Sequence, residues 1–145
     1  MIQRLQSIFL LLASGSLGAT YAFSYADTET AVAGTPFADQ LLNVHDSVVL
    51  LIAIVVAAVV FFAAIFLYNN RKLQSKVVML GIASAALGLG VVVGQFLKVS
   101  DELGTVAVDD GPSLYTNIAG LILGALGIRY INKDEKLVRS ADRLR

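Results

Sequence analysis

The 20 positions from Val48 to Leu67 hold only Val, Leu, Ile, Ala and Phe. Such a stretch has no polar side chain to turn toward water. At 1.5 Å per helical residue it reaches about 30 Å, the thickness of one bilayer hydrocarbon core. In lipid the backbone must satisfy its own N–H and C=O groups, which leaves the helix as the conformation for a single span. The remaining composition agrees with that solvent. The chain is 57% hydrophobic and 15% charged, with a mean hydropathy of +0.74, more apolar than a soluble domain of this size can cover with polar surface.

Four uncharged stretches are long enough to cross, or nearly so: Ser7 to Ala26, Ser47 to Tyr68, Val77 to Leu97, and Pro112 to Ile128 with a continuation through Arg129. The first is interrupted by Ser14, Gly15, Ser16, Gly18 and Thr20, and the fourth is short unless Arg129 extends its stem to the headgroups. The expected fold class is an all-α integral membrane protein. Four transmembrane helices form an antiparallel bundle with spans at about 7–26, 47–68, 77–97 and 112–131, followed by a cytoplasmic helical tail over 132–145. No linker, low-complexity tract or repeat divides the chain, so residues 1–145 read as a single membrane domain.

Charge supplies the orientation. Ten of the eleven Lys and Arg fall at Arg4, in the connection Arg71, Lys72 and Lys76, and at Arg129, Lys133, Lys136, Arg139, Arg143 and Arg145. The two longer connections carry Asp27, Glu29, Asp39 and Asp46, then Asp101, Glu102, Asp109 and Asp110, with Lys98 the one base among them. The basic-loop bias puts both termini and the middle connection in the cytoplasm. The five tyrosines, at 21, 25, 68, 115 and 130, all fall near span ends, where amphipathic rings prefer to lie. The rival reading of the start is a signal peptide with Ser24-Tyr25-Ala26 as its cleavage site. The short apolar core, broken by Ser and Gly, favours an uncleaved first span instead.

Helices in lipid associate through small residues that let backbones approach. At about 100° per residue, Gly81, Ser84, Gly88 and Gln95 share one face of span three, and Ala83, Ala86, Gly90 and Gly94 form another roughly 145° away. Val78, Ile82, Leu89, Val92 and Phe96 fill the remaining side, which is expected to face lipid while both small faces meet neighbours. Span four has one stripe of Asn117, Gly120, Gly124 and Gly127. Gly90 and Gly94, and Gly120 and Gly124, are small-xxx-small pairs, expected to pack within the chain, with a homodimer contact as the alternative. Gln95 and Asn117 are expected to bond amide to amide between antiparallel spans. Span two, with neither Gly nor a polar residue, is expected at the periphery. Ser47 and Asp46 suit the start of span two, and Pro112 suits the first turn of span four with Gly111 or Asp110 capping.

Reactive chemistry finds little material. Cysteine is absent and there is one histidine, so thiol catalysis, sulfur-ligated metals and paired His ligands are excluded. His45 beside Asp46 reads as an interfacial side chain, and the acidic loop residues lack the spacing of a dedicated calcium loop. Spans two, three and the first part of four contain no ionisable residue at bilayer depth, which disfavours a coupled carrier. Catalytic, cofactor and metal sites are therefore all read as none. The tail is the most suggestive segment. Arg129, Lys133, Lys136, Arg139, Arg143 and Arg145 outnumber Asp134, Glu135 and Asp142, a balance suited to anionic membrane lipids or to a soluble partner. Without a base-reading motif or aromatic platform it gives no reason to expect nucleic acid.

The opening MIQRLQSIFLLLA, the RKLQSK connection and the closing NKDEKLVRSADRLR resemble a domain-of-unknown-function family of small four-span bacterial inner-membrane proteins. The resemblance runs over the whole chain and is most specific at Met1 to Gln6 and Asp134 to Arg145. It implies an unprocessed N-terminus, four helices and an inner-membrane location, and brings no catalytic residue. The leading expectation is a non-enzymatic accessory or scaffold subunit, as a homo-oligomer or in a membrane complex. The alternative is a small oligomeric transporter or channel with a polar path near Gln95 and Asn117.

Overall fold

A computed structural model describes the backbone of residues 2–103 and 106–142 and the side chains of 5–98 and 106–138. Four helices dominate: α1 (Ile2–Ala19), α2 (Val48–Ile65), α3 (Arg71–Leu103) and α4 (Pro112–Asp142). Three of them are long and apolar enough to cross a membrane by length and composition, over Val48–Ile65, Arg71–Lys98 and Pro112–Val138, and Leu5–Ala19 is a shorter apolar helix. Consecutive helices run in opposite directions. α1 and α3 each pack on both α2 and α4, so these two face each other across the diagonal of a four-membered ring.

Each helix turns one stripe inward. The buried positions are Gln6, Leu10, Ala13, Leu17 and Thr20 at the first corner, Leu50, Ile54, Ala57, Phe61 and Ala64 in α2, and Gln74, Val78, Ala85 and Val92 in α3. The three- and four-residue spacing is that of one helical face. α4 contributes Ser113, Asn117, Gly120, Gly124, Gly127 and Ile131, and its glycines receive the large side chains of the others. A Cβ on Gly120 would lie 2.9 Å from Leu17, one on Gly127 would lie 3.0 Å from Leu10, and one on Gly124 would lie 2.6 Å from Phe61. Real side chains do not approach as closely as at Gly120 and Gly124, and at Gly127 the neighbour would have to give by a few tenths of an ångström, so these glycines set the distance of α4 from α1 and α2.

Several expectations need correction. α2 is no more peripheral than its neighbours: its outer face is exposed, but the Phe61 ring sits against both Gly81 of α3 and Gly124 of α4. A span without glycine supplies the knobs for glycines elsewhere. In α3 only half of the expected small-residue packing forms. Gly81 and Gly88 accept Phe61 and Ile54, whereas Ala83, Ala86 and Gly90 are exposed, and a Cβ on Gly90 or Gly94 would meet no atom of the described residues within 4 Å. Val78 and Val92, from the side expected to be bare, are buried instead. The helix has rotated to use branched side chains where α4 already provides the glycine gap.

The end of the bundle opposite the chain termini is closed by short strands and loops. α1 stops at Ala19, seven residues before the expected limit of 26, where the Thr20 hydroxyl donates back to Leu17 O at 2.7 Å. The chain then forms β1 (Ala26–Thr28), which lies between β2 (Leu41–Leu42) and β3 (Val108–Asp110) in an antiparallel sheet. Ala26 stands opposite Leu42 and Asp110, and Asp27 opposite Leu41 and Asp109. The small sheet joins the two acidic loops, with Tyr25, Phe37, Leu42 and Val44 buried beneath it. Gly111 is required here, because any side chain would collide with the carbonyl of Ser24. Ser113 N–H then donates to that carbonyl at 2.9 Å, starting α4 just after Pro112 at its first position. Ser47 caps α2, its hydroxyl accepting from Leu50 N–H at 3.4 Å.

Candidate functional site

At the termini end only five residues, 66–70, separate α2 from α3, so the Arg71–Lys76 segment expected as a loop is the first turn and a half of a 33-residue helix. Asn70 starts it, its side-chain oxygen accepting from Leu73 N–H at 3.1 Å. The helix holds Arg71 toward α4, where the guanidinium pairs with Asp134 at 2.7 Å, and Ser75 one turn on, where its hydroxyl donates to Asn132 Oδ1 at 2.9 Å. From the other side, Phe9 of α1 stacks on Tyr130 with ring centroids 5.1 Å apart and planes 14° from parallel. α4 is thus gripped on two flanks at one level.

These contacts decide which side chains of α4 remain available. Asp134 is turned inward and balanced by Arg71. Arg129, Lys133 and Lys136, at i, i+4 and i+7, are exposed along the outward stripe. With Leu126, Tyr130 and Asn132 they line an open cleft of about 520 Å³. Three cations with an aromatic wall and an apolar floor suit an anion carried on an apolar body. Arg139 belongs to the same helix, but its side chain, like Arg143 and Arg145, lies outside the described residues. Sequence reasoning located the cations and missed the Arg71 to Asp134 and Ser75 to Asn132 contacts. The first joins a base and an acid and the second two neutral polar groups, each pair on two different elements, which spacing within one element does not reveal.

The polar candidates near the sheet end are used for structure. Asn117 is fully buried, and its amide donates to the Tyr25 hydroxyl at 3.1 Å rather than to Gln95, whose side-chain oxygen has no hydrogen-bond partner among the described residues. Tyr25, expected as an interfacial ring, is 1% exposed, because the sheet draws it over the mouth of the bundle. Burial pushes its phenol up, against the hydrogen bonds from Asn117 and Thr20 that lower it. Ser14, Ser16 and Ser84 donate to the carbonyls of Ala58, Thr116 and Ala53 on neighbouring helices at 2.7–2.9 Å. Gly88, Gly120, Gly124 and Gly127 lie at helix contacts, whereas a Cβ on Gly90 or Gly94 meets no described atom of the chain within 4 Å.

In the loops, His45 meets the edge of Tyr21 at 5.6 Å between centroids. Asp46 accepts from Asn43 N–H, and partial burial raises its carboxyl above the usual range. The Asp101 and Glu102 partners expected for Lys98 lie outside the described side chains. No group of three His, Cys, Asp or Glu suited to a metal occurs among the described residues.

No curated protein and no solved structure matches the chain. Residues 2–144 match the family model described as a domain of unknown function, DUF4293, and on that near-complete coverage the chain belongs to this family.

Proposed function

We propose that this protein is a non-enzymatic accessory or scaffold subunit of the bacterial inner membrane, with all four helices spanning and the termini in the cytoplasm. The observation that carries the reading is the outward face of α4. It passes without a break from Ile118, Ile122 and Ala125 to Arg129, Lys133 and Lys136. That is the pattern of a helix whose apolar part lies in hydrocarbon and whose end emerges among cytoplasmic headgroups. Elsewhere, Val48, Val49, Ile52, Val59, Phe62, Met79, Leu80 and Leu87 stand more than half, or nearly half, exposed, a surface that water would not tolerate and lipid does. The acidic sheet end is then periplasmic.

Anionic lipid headgroups are the first partner of the basic stripe. A docked protein, or a second copy of this chain, is the scaffold's cargo. A channel or transporter is the weaker reading, because Asn117 is bonded to Tyr25 beneath the sheet and Ser14, Ser16 and Ser84 donate to backbone carbonyls of neighbouring helices. The test is a photo-cross-linker at position 133 in native membranes, followed by mild extraction. Recovery of a stoichiometric protein partner or homo-oligomer is expected, and a clean monomer would overturn the scaffold role. A cysteine placed beside Lys72 must stay unlabelled by an impermeant periplasmic reagent in intact cells, otherwise the orientation is reversed.

A further inference from the structure

Among the described side chains, the inward stripes of α1 and α3 both begin with glutamine. Gln6 stands four residues before Leu10, and Gln74 four before Val78, and all four side chains are 0% exposed. The register brings the two amides to one level. Leu10 lies on Gly127, so Gln6, one turn earlier, lies beside Ile131, which is one turn later in the antiparallel α4. Gln74 is flanked by Arg71 and Ser75, whose partners are Asp134 and Asn132, the same level of α4. α2 contributes Ala64, whose carbonyl accepts from Gln74 Nε2 at 2.9 Å. Among the described residues, this layer of the core therefore holds two amides, one methyl and one Ile side chain.

Those amides are underused. Gln6 offers two donors and a carbonyl oxygen, and neither Nε2 nor Oε1 has a hydrogen-bond partner among the described residues. The same holds for Gln74 Oε1. Buried amides left in that state cost more free energy than most single interactions recover, and proteins satisfy them with internal water that makes about three hydrogen bonds. Neither Ala64 nor Ile131 has a polar side-chain group to offer. We infer that Gln6 and Gln74 form an internal water-binding site at the termini end of the bundle, through which the diagonal helices α1 and α3 are joined. The water accepts from Gln6 Nε2 and donates to Gln6 Oε1 or Gln74 Oε1. This inference is independent of the proposed function.

Radiolytic hydroxyl-radical footprinting of the full chain in lipid nanodiscs tests it, because radicals generated from bound water oxidise buried neighbours. Ile131 is expected to oxidise several-fold faster in the wild-type chain than in Gln6→Leu/Gln74→Leu, while the equally buried Leu50 and Ile54, toward the other end of the bundle, oxidise at the same rate in both. An Ile131 rate that does not change would overturn the site, whether it is low in both chains or high in both through fraying of the helix ends. Gln6→Met, which keeps the side-chain length, gives the same readout if the double variant does not fold.

Discussion

The ring of Phe61 occupies the space that a side chain at Gly124 would need: Cζ lies 2.6 Å from where its Cβ would stand, and Cε1 lies 3.0 Å away. The same ring limits Gly81, whose Cβ would come within 2.8 Å. One aromatic knob thus spaces three helices. Gly124→Ala should lower stability by about 1–3 kcal/mol through overpacking. Gly90→Ala, on open surface, should be neutral or raise stability by up to about 1 kcal/mol. Thermal denaturation of both variants in the same detergent separates the two faces. Equal effects would mean that the packing of α3 and α4 has been misassigned.

The buried hydrogen bond from Asn117 to Tyr25 joins the bundle to its sheet. Tyr25→Phe removes the acceptor and leaves the whole Asn117 amide unpaired, at a cost of about 1–3 kcal/mol. Adding Asn117→Leu should return part of that loss, since removing both partners is cheaper than orphaning one. A double-mutant cycle by thermal denaturation measures the coupling. Strict additivity would show that the two side chains act separately.

Arg71 and Asp134 join the start of α3 to the emerging part of α4, with side chains 23% and 13% exposed. Solvent still reaches the pair, so its net worth is held to about 1 kcal/mol. Asp134→Arg should both weaken this junction and add a cation beside the basic stripe. Restoring the pair in reversed order, Arg71→Asp with Asp134→Arg, should recover the thermal midpoint without restoring the original charge pattern. Failure of the reversed pair to recover stability would assign the loss to packing instead.

Asp46 makes stability respond to acid in an unusual direction. Burial raises its carboxyl above the ordinary 3.8, so the folded chain holds this proton to higher pH than the unfolded chain does. Its favourable contribution is complete below 3.8 and is lost as pH rises through the raised value. Asp46→Asn keeps an oxygen to accept from Asn43 N–H and removes the titration. Wild type should therefore lose midpoint relative to the variant as pH rises through that window and run parallel above it. A constant difference at all pH values would show that Asp46 does not titrate in this way.

Much of the helical layout could be read before any coordinates. Val48 to Ile65 reads as a helix because it has no polar side chain, and a single apolar run of this length pairs its backbone groups within itself only as a helix. The Asn117, Gly120, Gly124, Gly127 stripe of α4 lies on one face by spacing alone, and the structure buries that face. The basic residues of α4 could also be placed, since Arg129, Lys133 and Lys136 repeat at helical intervals. Span three was ambiguous for a physical reason. Its two small faces and its branched face can each meet a neighbour, and the choice depends on where Phe61 and the α4 glycines already stand.

Local chemistry by itself determined the central part of each of the four helices and how charge is divided between the two ends of the bundle, because these follow from backbone pairing and side-chain period; it did not set the end of α1 at Ala19 or the start of α3 at Arg71. Only the tertiary structure decided the partner of Asn117, the inward turn of Asp134 and the three-stranded cap. Tyr25 is 92 residues from Asn117, Arg71 and Asp134 lie in different helices, and strands of two or three residues have no period to detect. Such pairings arise when distant segments compete for the same buried volume, and no window along the chain contains that competition.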